Sequence, residues 1–342
     1  MEKKRLLWAD VSKGYLIILV VLGHVIQSFE NATYEDNLLW KIIYSFHMPA
    51  FFAISGFFAY KNKSHQNESS NNVPFGNLIY RRFLQLLVPY FIWSLVKFVN
   101  SGVFTFERLS YIVLQPDYYF WFLWVLFFIF FFFLCARKIA TFLKCDDSYL
   151  IILGGAILVS VMVKADARLF GFQFISYYYL YFIFGYFMNK YNISTTLTTN
   201  RQGLLPIICF CFWLFLAYFW NMHTLPSWLS DLPLNSLILF AYKGVTAVLA
   251  ILFIFYLAPK LFNSDSKWHH WMSLLGQLSL GIYIIHILLL KVTKQGLIYI
   301  CSSISTSVIE AICWLLLVVV SMIVVALLSK SKILSRFLLG KI

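Results

Sequence analysis

The sequence predicts an all-α membrane protein: a bundle of about ten transmembrane helices in one integral-membrane domain over residues 1–342, with both termini cytoplasmic. Three observations carry that expectation. The 342 residues are 61% hydrophobic and 20% aromatic but only 12% charged, where a soluble domain averages about a quarter charged. Apolar runs of roughly the 20 residues needed to cross a bilayer recur along the chain. The basic residues behind the net charge of +13 collect in alternate connections between those runs. Ten spans use about 200 positions, which leaves no room for a separate soluble domain of useful size.

Read between charged or Asn/Pro/Gly-rich breaks, the spans fall at 9–29, 38–60, 78–99, 118–136, 148–164, 172–189, 204–221, 235–258, 271–290 and 304–329. The first run follows Lys3, Lys4 and Arg5 as a signal peptide would, but it contains Asp10, Lys13 and His24 and no small-residue cleavage site follows. It is therefore expected to stay as the first helix. Alternate connections carry Lys3, Lys4 and Arg5; Lys61, Lys63, Arg81 and Arg82; Arg137, Lys138 and Lys144; Lys190 and Arg201; Lys260 and Lys267; and Lys330, Lys332, Arg336 and Lys341. That places 18 cations on one side, with Lys13 at its border and at most eight on the other, whose first loop carries Glu30, Glu35 and Asp36. The cation-rich side is the cytoplasm, and the span number is even. This asymmetry accounts for the basic charge without a nucleic-acid partner. The polar stretch Asn62 to Asn72 reads as a cytoplasmic loop. Cys135, Cys209, Cys211 and Cys313 lie in apolar runs and no Cys/His spacing suits zinc, so reduced thiols and no metal are expected.

Ionisable groups inside spans each cost a few kcal/mol and usually face a cavity or a partner. In WADVSKGYLIILVVLGH, Asp10 and Lys13 share a helix face, and His24 lies eleven residues beyond Lys13. That interval is a rise of about 16 Å and returns within about 20° of the same face, so Lys13 and His24 would line one side of a cavity. A purely structural reading has Lys13 snorkelling, Asp10 pairing with it and His24 bonding to a neighbouring helix. His47, in the outer half of the second span, lies at a depth comparable to His24, with Pro49 removing a backbone hydrogen bond close by. Arg81 and Arg82 open the third span; a guanidinium pair suits phosphate, and equally serves as a topology anchor. Gln277, Ser279, Gly281, Tyr283 and His286 punctuate the ninth span, and Glu310 opens the tenth. His65, His223, His269 and His270 are assigned to solvated loops, and Tyr118, Tyr119 and Trp121 to the interfacial aromatic belt.

Cations at the cytoplasmic mouth, a histidine deeper on the same face and polar groups further out suit a phosphate-bearing donor from inside meeting an acceptor from outside. Neither a GxSxG nor a GxxxxGK[ST] motif occurs. The same layout without chemistry would suit a glycolipid or sugar transporter or flippase, though no inverted repeat supports one.

The motifs DVSKGYLIILVVLGH, FHMPAFFAISGFF, RRFLQLLVPYFIW, FWFLWVLFF, FIFGYF and LGQLSLGIYIIH occur in that order from residue 10 to residue 286. Together they resemble acyltransferase family 3, and within it the fucose 4-O-acetylase-like polysaccharide O-acetyltransferases. The resemblance implies a ten-helix membrane enzyme that moves an acyl group, usually acetyl from acetyl-CoA, to a hydroxyl of a cell-surface or lipid-linked saccharide, and it implies a bacterial cell membrane. Lys13 and His24 match the family's basic-x10-His pair, with Lys13 standing where arginine is usual. Arg82 matches the first arginine of an Arg-x-x-Arg motif whose second position is Gln85 here, which shifts weight to Arg81. The roles expected are His24 as general base, with an acyl-histidine intermediate as the minor variant, Asp10 orienting Lys13, and Lys13, Arg81 and Arg82 on the CoA phosphates, with Arg137 and Lys138 as weaker candidates. His47, Glu310 and His286 are the expected acceptor-side residues.

Overall fold

The computed structural model describes residues 6–60, 74–164, 169–193, 204–230, 233, 235–264, 266–301 and 303–341. The cations Lys3, Lys4, Arg5, Lys61, Lys63, Arg168 and Arg201, His65 and the polar stretch 62–72 lie outside them. In chain order the helices are α1 (Leu7–Glu30), α2 (Leu38–Tyr44), α3 (His47–Phe57), α4 (Phe75–Arg82), α5 (Val88–Asn100), α6 (Phe106–Leu114), α7 (Trp121–Leu143), α8 (Asp147–Lys164), α9 (Phe172–Lys190), α10 (Leu204–Tyr218), α11 (Asn235–Leu261), α12 (Lys267–Ile300), α13 (Thr306–Lys330) and α14 (Lys332–Leu339). No strand occurs among the described residues. The class is all-α, as expected from the absence of period-two patterning.

Among the described residues, seven segments are long and apolar enough to cross a membrane: Leu7–Asp36, Leu38–Phe57, Phe75–Asn100, Trp121–Leu143, Asn235–Leu261, Lys267–Ile300 and Thr306–Lys330. Asp147–Val161 and Leu204–Tyr218 are shorter apolar helices. The second span is not one continuous helix. It breaks at Ser45–Phe46 and restarts at His47, so Pro49 sits in the first turn of α3, where a missing N–H costs nothing. The third span contains a π-helical turn, Phe83–Leu87, between α4 and α5. The helix of the ninth expected span, α12, starts at Lys267, capped by Ser266, whose hydroxyl accepts from the His269 amide at 3.1 Å. His269 and His270 are thus helical, a correction to their loop assignment; the serine cap carries the helix back past the apolar boundary.

The chain folds into two compact units, residues 1–54 with 191–325, and residues 55–190 with 326–342. In the first, α1 and α12 form the most extensive helix pair. They run parallel. A methyl built on Gly14 would overlap the Met272 carbonyl, and one on Gly276 would overlap the Asp10 carbonyl. Further along both helices, the Lys294 ammonium donates to the Ser28 carbonyl. Two glycines therefore let the backbones touch at one end of the pair. Around α1, Trp40 of α2 is buried among Ile26, Leu216, Trp220 and Tyr242. The Trp213 indole N–H donates to the Ser45 hydroxyl at 3.0 Å and so ties α10 to the α2–α3 break.

In the second unit, α7, α8 and α9 pack against one another around Phe130, Phe133, Phe182 and Tyr186. Asn189 donates to the Phe57 carbonyl at 2.7 Å. The amphipathic α14 ends at Gly340, whose φ of +63° favours glycine; a methyl there would overlap the Gln85 carbonyl. This contact and the Trp93 indole bond to the Leu338 carbonyl, at 2.8 Å, seat α14 on the π-helical turn.

Candidate functional site

Lys13 and His24 lie on one unbroken helix, so the rise of about 16 Å between them follows from helix geometry. Lys13 Nζ stands 3.7 Å from Asp10 Oδ1, and both side chains are largely covered. The ion pair expected one turn apart is thus formed, at the same level as the Gly14–Gly276 contact.

His24 and His286 each lie ten residues beyond their glycine. In parallel helices that equal interval lifts both by about 15 Å and rotates both alike, so two side chains from distant stretches of sequence arrive together. Their ring centroids are 5.4 Å apart at an interplanar angle of 39°. Tyr44 stands edge-on to His24 at 6.5 Å and to His47 at 4.7 Å, and Tyr283 is 6.1 Å from His286. The Tyr44 hydroxyl donates to Gln27 Oε1 at 2.6 Å. The helix break before His47 lets α2 and α3 present Tyr44 and His47 to one place.

The protonation geometry is fixed from the backbone. His47 Nδ1 is 2.7 Å from the Ile43 carbonyl and His286 Nδ1 is 2.8 Å from the Ile282 carbonyl. A carbonyl only accepts, so each Nδ1 carries the hydrogen, and in the neutral ring each Nε2 carries the lone pair. His286 is fully buried, and its Nε2 has no hydrogen-bond partner among the described residues. His24 is half-buried. The structure therefore gathers three of the candidate residues, His24, His47 and His286, within one unit. Glu310 is half-buried in the second turn of α13 and is not part of these ring contacts.

Arg81 and Arg82 belong to the second unit. Arg81 is exposed at the end of α4. Arg82 is half-buried: it donates to Gln85 Oε1 at 2.9 Å, and its guanidinium lies 4.1 Å above the Phe130 ring. Gln85 thus orients Arg82 across the π-helical turn where a second arginine would only repel it. Arg137 is engaged by Asp147 at 3.1 Å, and Lys138 lies over Phe75 at 5.3 Å.

Sequence reading did not single out Tyr44, Gln27 or the glycine pair. The signal was present as a repeated interval, Gly14 to His24 and Gly276 to His286, and it becomes meaningful only when α1 and α12 are known to be parallel neighbours. It also passed over Asp146, Asp147 and Tyr186 and counted Lys190 only as a topology cation, whereas the four interlock at the ends of α8 and α9.

Residues 6–330 match the family model described as an acyltransferase domain, Acyl_transf_3. A nodulation protein, NolL, of Sinorhizobium fredii is 36% identical over 99 residues, which is 28% of this chain and 25% of that protein. NolL of Mesorhizobium japonicum is 34% identical over 98 residues, 28% of this chain and 24% of that one. The chain thus matches about a quarter of the length of these curated relatives. No solved structure matches it. With the family model covering nearly all of a multi-helix membrane chain, this protein belongs to the acyltransferase 3 family.

Proposed function

We propose that the protein is a membrane O-acyltransferase that moves an acetyl or related acyl group from cytoplasmic acetyl-CoA to a saccharide hydroxyl presented on the outer side. The observation that carries this reading is the histidine cluster on α1 and α12, one helix rise above the Asp10–Lys13 pair. In this reading the chain spans the bilayer ten times with both termini in the cytoplasm, in the manner of fucose 4-O-acetylase-like enzymes of bacterial cell membranes.

Lys13, oriented by Asp10, binds a phosphate of the donor; Arg82, held by Gln85, and the exposed Arg81 are the further phosphate candidates that the sequence suggests. An extended pantetheine arm covers roughly the rise from Lys13 to His24. The acceptor oxygen attacks the thioester carbonyl, its proton passing to His24. The new C–O bond forms, the C–S bond breaks, and the thiolate leaves with the proton returned by His24, as CoA thiol. Such base assistance is worth about 10²–10⁴ in rate. His47, with its tautomer held by Ile43, and Glu310 meet the acceptor, as does the neighbourhood of His286. The chemistry requires no metal.

The test is transfer of radiolabelled acetyl from acetyl-CoA to envelope saccharides by the purified protein. His24→Ala is expected to abolish transfer while leaving expression and CoA binding intact. Full transfer by that variant removes His24 from the chemistry. A folded native protein that neither binds CoA nor transfers label is better read as a sugar or glycolipid transporter.

A further inference from the structure

His286 has an unusual setting for a buried polar side chain. Its Nδ1–H is used by the Ile282 carbonyl, and its Nε2 is sealed from solvent with no partner among the described residues. Leaving such an acceptor unmet costs stability, because its lost hydration is not repaid. The ring nevertheless has a titratable neighbour at 5.4 Å, His24, which lies half-buried on the adjacent helix. A centroid separation of 5.4 Å leaves room for a nitrogen of one ring to reach a nitrogen of the other at hydrogen-bond distance, about 2.7–3.2 Å, once the rings turn toward each other.

We infer that His286 is a positioning residue for His24, its buried Nε2 accepting a hydrogen bond from His24 when His24 takes up the acceptor's proton. The inference rests on His24 being the general base, and it deepens that reading. A neutral imidazole has one N–H; the imidazolium has two. When His24 receives the hydroxyl proton on one nitrogen, the hydrogen on its other nitrogen becomes a stronger donor, and His286 Nε2 accepts from it. The same N–H is present in the neutral ring, but its bond to His286 Nε2 strengthens as the ring gains charge, which is the condition for a contact to raise kcat rather than tighten binding. The proton balance closes without His286. The hydroxyl proton goes to His24 and then to the departing thiolate, while His286 keeps its own hydrogen on Nδ1 throughout. The other polar side chains beside the pair are Tyr44 and His47 from α2 and α3 and Tyr283 from α12. Of these, the Tyr44 hydroxyl is already directed to Gln27 and His47 Nδ1 to Ile43. His286 is the member of the cluster with a sealed, unused acceptor.

The experiment measures kcat and both KM values for His24→Ala, His286→Ala and His286→Gln in the full-length protein, with melting temperatures in the same detergent. His286→Ala is expected to lower kcat by about 10²-fold, the scale of one lost transition-state hydrogen bond, with KM for acetyl-CoA and acceptor within about twofold of native. His286→Gln offers an amide oxygen near the Nε2 position and is expected to recover at least tenfold of that loss. A raised acceptor KM with native kcat would make His286 a substrate contact and overturn the inference. So would a lowered kcat that tracks a lowered melting temperature in both variants without recovery by Gln. If His24→Ala is fully active, the general-base reading fails first. If His24→Ala is inactive while His286→Ala keeps native kcat, only the present inference fails.

Discussion

Two places in this molecule, one in each unit, treat their polar side chains in opposite ways. At the ends of α8 and α9, Asp147 is met by Arg137 at 3.1 Å, by the Tyr186 hydroxyl at 2.8 Å and by Lys190 at 2.6 Å. Lys190 also reaches Asp146 at 2.9 Å and the Ser148 hydroxyl at 2.7 Å. Each group there has an opposite charge or a hydrogen-bond partner, and the network holds the helix ends together. Between α1 and α12, His24 meets His286, and Tyr44 links His24 to His47 of α3; backbone carbonyls fix the tautomers of His47 and His286, and His286 also keeps a buried acceptor unmet. A paired network is optimised for the folded state alone. A cluster that keeps an unmet buried acceptor departs from that optimum, and such departures are found mainly at functional sites.

The hardest way to break this contrast is to move the two helices apart. In Gly276→Leu the new side chain meets the Asp10 carbonyl, so α1 must shift along its whole contact with α12. Overpacking of this kind costs about 1–3 kcal/mol, but the histidines and the Asp10–Lys13 pair are displaced together. Acetyl transfer is therefore expected to fall by at least about 10²-fold, since about 1 Å of misplacement suffices for that. Gly244 of α11 has open space around it, and Gly244→Leu should leave both the melting temperature and kcat near native. Equal behaviour of the two variants would show that the glycine contact does not set the histidine register.

A smaller effect separates the two arginines. Arg82 is held by Gln85 and by the Phe130 face, whereas Arg81 is exposed. An oriented guanidinium binds a phosphate better than one that must be ordered on binding. Arg82→Ala should raise the KM for acetyl-CoA by about 10–100-fold, the worth of one or two charge-assisted hydrogen bonds, and Arg81→Ala by no more than about threefold. The reverse order would return Arg81 to the leading role that its sequence position alone suggested.

Much of this was legible in the sequence, and the reason is physical. In a bilayer every span must be apolar and every intruding charge needs a cause, so Asp10, Lys13, His24, His47 and His286 stood out without any structure. Helix periodicity fixed the relation of Lys13 to His24, because both lie on one helix. What periodicity does not carry is the pairing of helices far apart in sequence. The meeting of His24 with His286 depends on α1 and α12 being parallel neighbours, which Gly14 and Gly276 permit but do not announce. The break before His47 was also hidden, since Pro49 is compatible with a kink in one helix and with the first turn of a new one. In the second unit the acidic pair Asp146–Asp147 looked like an ordinary loop until Lys190 was brought back to it from the far end of α9.

The smallest expected effect tests the paired side of the comparison. The Ser148 side chain, then Lys190, hold the Asp146 carboxyl down to about 2, where an unfolded aspartate titrates near about 3.9. A carboxyl lowered on folding contributes stability that is present above its unfolded value and lost as pH falls through its folded one. Its contribution should be complete above about pH 5 and vanish towards pH 2. Because 52% of the side chain is exposed, solvent screens most of that contribution. Asp146→Asn keeps an oxygen to accept from the Ser148 amide, 2.7 Å away in the native chain, and removes only the charge. The variant should melt slightly below the native protein at pH 7, with the gap closing as the pH falls from 5 to 2. A gap that persists unchanged at pH 2 would mean that the charge on Asp146 does not stabilise the fold, and the network at the ends of α8 and α9 would then have to be read as hydrogen bonding alone.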